Sequence, residues 1–438
     1  MKRAKKSSTT TKLSSHLSRL PNLSLKLALL DRAMETFRIE LESPSGVLFP
    51  GQVVQGRVYI HLREQIKARA VLLHVVGKAK TSWTVWERRT DNRNNNGSVS
   101  ARTHSESIPY SAEVVYLDLQ MNVWQPVEQI LLPGLHDFPF TFTLPVHCPP
   151  SFEGTIGFIR FYCKAKIDRP WKFDDNTRTN FTVMPHFDLN TIYYAGLPVE
   201  KHISKNIGVL CFKHGRIGAK ITLGKSGYVP GENVMLNVEV NNTTSKDVTR
   251  VETSLIELVT YTARRHNRLL DYGNGAGCHH GDVEKKQESR VVVQYNEEFK
   301  VCSQKTGTYQ RLLAIPPIVP SFNICPIIQV DYQFKIKIVA KGTISNTVSG
   351  TLPVLIGTIP VRQQAPPQQA QVPSQDYLEP PPPTAPQPGT PIGIVPAFPA
   401  GPPPSYADSV FGRGTVQDDS EDKSGGGYTP RYVFYNNI

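Results

Sequence analysis

The sequence has little cysteine, no long apolar run and none of the common catalytic motifs. Its six cysteines are too few and too scattered to build a disulfide framework in a chain of 438 residues, which favours reduced thiols in a cytoplasmic protein. No apolar stretch approaches the roughly 18 residues that a membrane-spanning helix needs. A Walker loop, a GxSxG elbow, an HExxH helix and a Gly-rich dinucleotide turn are all absent. We therefore predict no enzymatic activity, no catalytic residue and no cofactor.

One cysteine-histidine cluster bears on metal binding. Cys278-His279-His280 offers thiolate and imidazole ligands of the kind that zinc accepts. A structural zinc site needs four ligands, and no second pair lies at the expected spacing. We interpret the segment as a solvated loop and predict no metal site.

The positive charge of the chain is unevenly placed. The formal net charge is +12, with seven Lys or Arg and no acid among residues 1–30, but four basic and seven acidic residues among residues 361–438. The basic middle of the chain favours a negatively charged membrane surface, or acidic and phosphorylated segments, as partners. No Arg-rich helix or aromatic RNA-binding signature accompanies this charge, so we predict no nucleic-acid partner.

Residues 1–36 form a basic extension rich in Ser, Thr and Leu. We predict that this extension is disordered. The same composition also fits a short amphipathic helix against a membrane, with Leu13, Leu17 and Leu20 on one face before Pro21 ends it. A transit peptide is a third interpretation, because composition separates these cases poorly.

The strongest pattern in the sequence is a unit that occurs twice, as SGVLFPGQVVQGRVYI at residues 45–60 and as SGYVPGENVMLNVEV at residues 226–240. In each copy a Pro-Gly pair suits the two central positions of a type II turn, where the second residue needs a positive φ. Apolar and polar residues alternate after each pair, which predicts a strand with one buried face. The repeat therefore predicts two related domains.

Strand patterns with Gly and Pro punctuation, and no helical periodicity, predict an all-β chain of two tandem β-sandwiches. We place them at residues 37–185 and 186–360. The polar, turn-rich stretch 88–107 is interpreted as a long exposed hairpin loop. Residues 361–438 hold 16 of the 36 prolines. This tail cannot bury enough apolar surface to offset its ordering entropy, so we predict that it is disordered with polyproline II character.

Several separate motifs occur in order along the two predicted sandwiches. They are the paired SG...PG units, AVLLHVVGKAKTSW at 70–83, DRPWKFD at 168–174, FDLN at 187–190 and PPIVPSFNICPIIQVDYQFKIKI at 316–338. Together they resemble the α-arrestin, or arrestin-domain-containing, branch of the arrestin-domain proteins over residues 37–359. The resemblance implies an N-type and a C-type arrestin sandwich with immunoglobulin-like topology, and an adaptor without catalysis. The basic extension before Phe37 departs from the family pattern.

The Pro-rich tail carries one intact PPxY motif, formed by Pro403, Pro404, Ser405 and Tyr406. The prolines fix a polyproline II strand before binding, so little entropy is lost in the aromatic groove of a WW domain, where Tyr406 would be the anchor. The resemblance implies that this groove belongs to a HECT-type ubiquitin ligase. Family members commonly carry two PPxY motifs, and Pro430-Arg431-Tyr432 is the candidate for a degraded second copy.

A second short motif, PTAP, lies at Pro383, Thr384, Ala385 and Pro386. It is of the kind bound by the ubiquitin-E2-variant domain of ESCRT-I, although chance matches are frequent in a proline run. If both motifs act, one tail links a ubiquitin ligase to membrane sorting, and tethering strengthens each weak contact.

The resemblance thus implies a trafficking adaptor. Its sandwiches would bind cytosolic segments of transmembrane cargo while the tail recruits a WW-domain HECT-type ligase, promoting ubiquitination, endocytosis and endosomal sorting. The alternative is an arrestin-fold sorting scaffold that acts through coat or retromer-like partners, with the tail as a passive spacer. We expect a cytoplasmic protein recruited to the plasma membrane and endosomes through peripheral association.

Overall fold

The structure is a computed structural model that describes residues 33–95, 98–170, 174–209, 212–265, 283–342, 346–362, 405–412, 416 and 428–436, with the backbone alone for those among 89–102 and 208–214. Almost all regular structure in these residues is β-strand, with a single 3-10 turn at Leu189–Thr191. None of the described residues belongs to a helix with the length and apolarity needed to cross a membrane. The prediction of an all-β fold is confirmed.

The described residues fall into two compact units. The chain passes from the first unit to the second between Met184 and Pro185, beside the expected boundary. Described residues within Ala263–Glu284 and Arg413–Pro430 also group with the first unit. The described residues of the C-terminal tail that lie before Arg413 or after Pro430 group with the second unit.

The first unit is a β-sandwich. Its strands are β1 (Met34–Leu41), β2 (Val47–Leu48), β3 (Val53–Leu62), β4 (Ile66–Lys67), β5 (Ala70–Asn95), β6 (Ser98–Trp124), β7 (Ile130–Leu131), β8 (Gly134–Thr143), β9 (Phe152–Glu153), β10 (Gly157–Asp168) and β11 (Asp175–Val183). One sheet has the order β1-β3-β8 and the other β6-β5-β10-β11-β2, with β9 paired to β10 and a short β4-β7 ladder beside them. The rings of Phe142 and Phe181, one from each sheet, lie 6.2 Å apart between centroids, so the core sits between the sheets.

The second unit repeats this arrangement. Its strands are β12 (Val199–Val209), β13 (Phe212–Leu223), β14 (Gly227–Tyr228), β15 (Asn233–Asn242), β16 (Val248–Arg265), β17 (Val283–Val301), β18 (Lys305–Ala314), β19 (Ile328–Ala340) and β20 (Thr347–Ile356). One sheet has the order β12-β13-β15-β18 and the other β14-β20-β19-β16-β17. Along β15 and β19 the buried residues alternate with more exposed ones as the sequence pattern predicts. Each fully buried aliphatic side chain contributes about 1.5–3 kcal/mol to stability.

The two Pro-Gly turns have the predicted geometry. Gly51 has a φ of 79° and Gly231 a φ of 92°, close to the value of about 80° that a type II turn requires. The residue after each glycine closes the turn, with Gln52 N donating to Phe49 O at 3.0 Å and Glu232 N donating to Val229 O at 3.1 Å. The repeat seen in the sequence is therefore also a repeat of backbone conformation.

A second pair of matching segments supports the duplication. Ser151 Oγ accepts the Val183 amide at 2.9 Å, and Ser321 Oγ accepts the Ile356 amide at 3.0 Å. In both units this bond lies beside a short parallel ladder, β2 with β11 and β14 with β20. The Pro-Ser-Phe segments therefore close the two sandwiches in the same way.

The structure corrects the interpretation of residues 88–107 as a loop. Strands β5 and β6 stay paired as far as Asn95 and Ser98, so most of this stretch is one long antiparallel hairpin. A ladder satisfies backbone N–H and C=O groups whatever the side chains are, and a polar stretch has no hydrophobic alternation to detect.

Candidate functional site: the C-terminal tail

The predicted motif residues differ in whether the structure describes them. The PTAP residues 383–386 and the two prolines of the PPxY motif, Pro403 and Pro404, lie outside the described residues. Ser405 and Tyr406, the last two residues of the PPxY motif, are described, as are Pro430 and Tyr432 of the degraded copy. Cys278-His279-His280 also lies outside the described part of the chain.

Two short strands form within the tail. Strand β21 (Ser405–Asp408) pairs antiparallel with β22 (Arg431–Phe434), and Tyr406 stands opposite Val433. Ser405 Oγ donates to Phe434 O at 2.9 Å, and Arg431 Nε donates to Asp408 Oδ1 at 3.0 Å. The prediction that residues 361–438 are disordered is therefore wrong for Ser405–Asp408 and Arg431–Phe434.

Strand β22 packs on the second unit through aromatic side chains. Tyr432 and Val433 are each only 2% exposed, and Tyr435 is buried just after the strand. The Tyr435 hydroxyl donates to Thr358 O at 2.7 Å, and its amide donates to Pro230 O at 3.0 Å. The sequence signal for this docking was the aromatic run Tyr432-Val433-Phe434-Tyr435, which the low average hydrophobicity of the tail obscured.

The C-terminal segment passes very close to the backbone of the second Pro-Gly turn. A Cβ on Gly231 would collide with the backbone of Tyr435, with Tyr435 N only 2.7 Å away. At the equivalent Gly51 a Cβ would meet only Val146 Cγ1, at 3.3 Å. Gly231 is thus needed both for its positive φ and for the close approach of the C-terminal segment.

A buried polar cluster in the second unit lies under residues that follow the PPxY motif. Glu257 has a fully buried side chain that pairs with Arg290 Nε and accepts the Tyr332 hydroxyl at 2.9 Å. Burial raises the pKa of Glu257, and Arg290 and Tyr332 act against that rise. The Arg290 guanidinium lies 3.4 Å from the centre of the Phe411 ring, a cation–π contact.

The backbone gives this segment a further attachment. The Val410 amide donates to Pro317 O at 3.2 Å, one residue before Phe411. The chain on the C-terminal side of the PPxY motif is therefore held on the second unit by one backbone bond and one ring contact.

The first unit holds a different part of the tail. Arg160 and Glu153 form a buried bidentate ion pair at 2.6 and 2.8 Å, and Arg160 Nη2 also donates to Val416 O at 3.0 Å. The Tyr428 hydroxyl donates to Phe181 O at 3.1 Å and lies 2.8 Å from Thr182 Oγ1. Burial raises the pKa of Tyr428, so this phenol remains neutral. These bonds make a second tail-binding surface on the first unit.

The described residues offer little reactive chemistry. None of them form a group of three or more His, Cys, Asp or Glu that could hold a metal ion. The described cysteines, Cys148, Cys163, Cys302 and Cys325, are free thiols. Burial raises the pKa of Cys148 to about 11 and that of Cys163 to about 12. Both thiols are therefore poor nucleophiles at neutral pH.

Comparison with known proteins matches both units to one family. The family model described as "Arrestin (or S-antigen), N-terminal domain" matches residues 37–190, and "Arrestin (or S-antigen), C-terminal domain" matches residues 213–361. The chain is 29% identical over 338 residues to Arrestin domain-containing protein 17 of Caenorhabditis elegans. The aligned region covers 76% of this chain and 72% of that protein.

Two mammalian relatives show a similar degree of likeness. Identity to Arrestin domain-containing protein 4 of Mus musculus is 28% over 329 residues, covering 73% of this chain and 70% of the relative. Identity to Arrestin domain-containing protein 1 of Rattus norvegicus is 25% over 380 residues, covering 86% and 73%.

Proposed function

Since the chain belongs to the α-arrestin family, its general role is that of an arrestin-type trafficking adaptor, and we propose that it recruits a WW-domain HECT-type ubiquitin ligase to membrane-protein cargo. Arrestin-family proteins are generally non-enzymatic, so the ligase would supply the chemistry. Ubiquitination of the cargo then directs it into endocytosis and endosomal sorting.

The observation that carries this proposal is the intact PPxY motif behind two arrestin domains. Pro403 and Pro404 restrict the backbone to polyproline II before binding, which reduces the entropy lost in a WW groove. Tyr406 supplies the aromatic anchor of the complex. The degraded copy is a poor ligand while docked, because Tyr432 is almost fully buried on the second unit.

The remaining parts of the proposal concern location and sorting. The protein is cytoplasmic and is recruited to the plasma membrane and endosomes by cargo that its sandwiches bind. The PTAP residues 383–386 add a contact to ESCRT-I, and the two motifs on one tail raise the effective concentration of each partner for the other.

A binding assay with the full-length chain tests the ligase step. A purified WW domain from a HECT-type ligase should retain the wild-type chain and lose Tyr406→Ala, because the anchor is gone. Tyr377→Ala is the matched control, since it removes a tyrosine of the same tail that stands outside any PPxY sequence. Equal recovery of wild type and Tyr406→Ala would contradict recruitment of the ligase through the PPxY motif. It would favour the alternative, a sorting scaffold that acts through coat or retromer-like partners.

A further inference from the structure

The PPxY tyrosine lies in the same two-stranded ladder as the extreme C-terminal segment. Residues Ser405–Asp408 pair with Arg431–Phe434, and Tyr406 is half-buried opposite Val433. We propose that β22 is an intramolecular cap on the PPxY motif, so that a WW domain gains access only when β22 leaves its site on the second unit. The cap rests on the proposed function, because it regulates the same motif.

The last two residues of the motif, Ser405 and Tyr406, are paired with another strand while β22 is docked. WW ligands bind as polyproline II helices, whose backbone makes no internal hydrogen bonds and is open to the partner. In the structure, residues 405–408 are in an antiparallel ladder, where every second residue exchanges N–H···O=C bonds with the neighbouring strand. The ladder and a WW complex both use Ser405 and Tyr406, so we expect the two to compete.

The anchor side chain is also partly withdrawn from solvent. Burial raises the pKa of Tyr406, and the nearby Tyr406 in turn contributes, after burial, to a raised pKa of about 12 at Tyr435. The ladder places Tyr406 opposite Val433, two residues before Tyr435. A WW groove takes up the ring of the motif tyrosine, which is half-buried here.

The cap is held by contacts that do not depend on the motif. Tyr432 and Val433 are buried, the Tyr435 amide donates to Pro230 O, and the Tyr435 hydroxyl donates to Thr358 O. Removing these anchors releases β22 without altering any residue of the PPxY sequence. The contacts of Val410 and Phe411 remain, so the motif stays tethered beside the second unit.

The expected strength of the effect follows from population arithmetic. The apparent affinity for a WW domain falls in proportion to the fraction of molecules with the motif uncovered. A cap that is docked in about nine molecules of ten weakens binding roughly tenfold, and tighter docking weakens it further. Release of the cap should therefore lower the apparent Kd, while the affinity of the uncovered motif itself stays unchanged.

The test compares full-length variants for binding to a purified WW domain of a HECT-type ligase. The double variant Tyr432→Ala/Tyr435→Ala and a chain that ends after Pro430 both remove the cap, and each should bind at least about tenfold more tightly than wild type. Asn436→Ala is the matched control, because Asn436 is an exposed residue of the same segment. Tyr406→Ala in the released chain should abolish binding.

The possible outcomes separate the cap from the ligase proposal. Binding that depends on Tyr406 but is equal, within twofold, in wild type and both released chains overturns the cap and keeps the ligase proposal. No binding in any chain overturns the ligase proposal. Hydrogen exchange measures the ladder independently of any ligase. The amides among residues 405–408 that bond to β22, which are every second one, should be protected in wild type and in Asn436→Ala and exposed in the released chains. If none of these amides is protected in wild type, the cap is contradicted.

Discussion

At the scale of single residues, the ion pairs differ widely in their exposure to solvent. Glu153 and Arg160 are 3% and 8% exposed at their side chains, whereas Arg38 and Glu40 are 54% and 53% exposed. An ion pair taken out of water becomes costly when one partner is removed, while an exposed pair contributes little. Sequence alone does not separate the two kinds of pair, because the residues that pack around a buried pair can be distant from it in the sequence, as Val416 is from Arg160.

The buried pair predicts a large loss of stability. Arg160→Ala leaves the Glu153 carboxylate buried without its partner and should destabilise the first unit by about 3–5 kcal/mol. Arg38→Ala, the exposed control, should cost less than about 1 kcal/mol. Chemical denaturation followed by tryptophan fluorescence measures both. If Arg160→Ala unfolds like Arg38→Ala, the pair is not buried in solution.

Glu252 predicts a pH dependence. Hydrogen bonds from Arg250, and then from Lys337, hold the pKa of Glu252 below its ordinary value of 4.5. A carboxyl with a depressed folded-state pKa contributes stability that is present above the unfolded-state pKa and is lost as pH falls through the folded-state value. The contribution is below about 1 kcal/mol because the partners are partly exposed.

The measurement is the Tm of wild type and Glu252→Gln across the range from pH 6 down to the acid-unfolding region, about pH 3. The variant should start lower at pH 6 and lose less Tm on acidification, since glutamine does not titrate. Parallel curves for the two proteins would show that Glu252 has the same pKa in the folded and unfolded states.

At the scale of elements, the strand pattern was predictable where one face is buried and not where the chain is polar throughout. The alternation after Pro50-Gly51 and Pro230-Gly231 became β3 and β15 with the expected buried faces. The strand pairing within the hairpin at 88–107 was missed because it depends on backbone bonds between polar residues. The tail ladder was missed because it also depends on contacts that are distant in sequence. Local periodicity carries no record of such contacts.

The two turns predict different consequences for one substitution. Gly51→Ala and Gly231→Ala both place a side chain at positive φ, which costs about 1 kcal/mol or more. Only Gly231→Ala also collides with the backbone of Tyr435. Hydrogen exchange should therefore show loss of protection at residues 431–435 in Gly231→Ala alone. Retained protection there would mean that the tail does not approach this turn.

At the scale of the whole molecule, the duplication was predictable and the use of the tail was not. The repeated SG...PG units, the Pro-Ser-Phe segments and the family resemblance together predicted two sandwiches of one type, and both arrestin-domain matches agree. The sequence of the tail predicts disorder because its composition was judged over the whole segment, where a few aromatic residues count for little. Its last aromatic residues nevertheless pack on the second unit, and Tyr428 packs on the first, through contacts that are set by the folded domains.

The division of labour between domains and tail predicts a separable phenotype. A chain that lacks residues 361–438 keeps both sandwiches and should still associate with membrane cargo, but it should no longer promote its ubiquitination or internalisation. Surface biotinylation of cargo in cells that express each chain measures this. Normal internalisation without the tail would favour a scaffold that acts through its domain surfaces.

The central claim is that Tyr406 connects cargo-bound sandwiches to a ubiquitin ligase, and proximity labelling in cells tests it most directly. With a labelling enzyme fused to the N-terminus, the wild-type chain should label membrane proteins and a WW-domain HECT-type ligase, and Tyr406→Ala should keep the membrane proteins and lose the ligase. Labelling of the ligase at the same level by Tyr406→Ala, or by neither chain while membrane proteins are captured, would contradict the account.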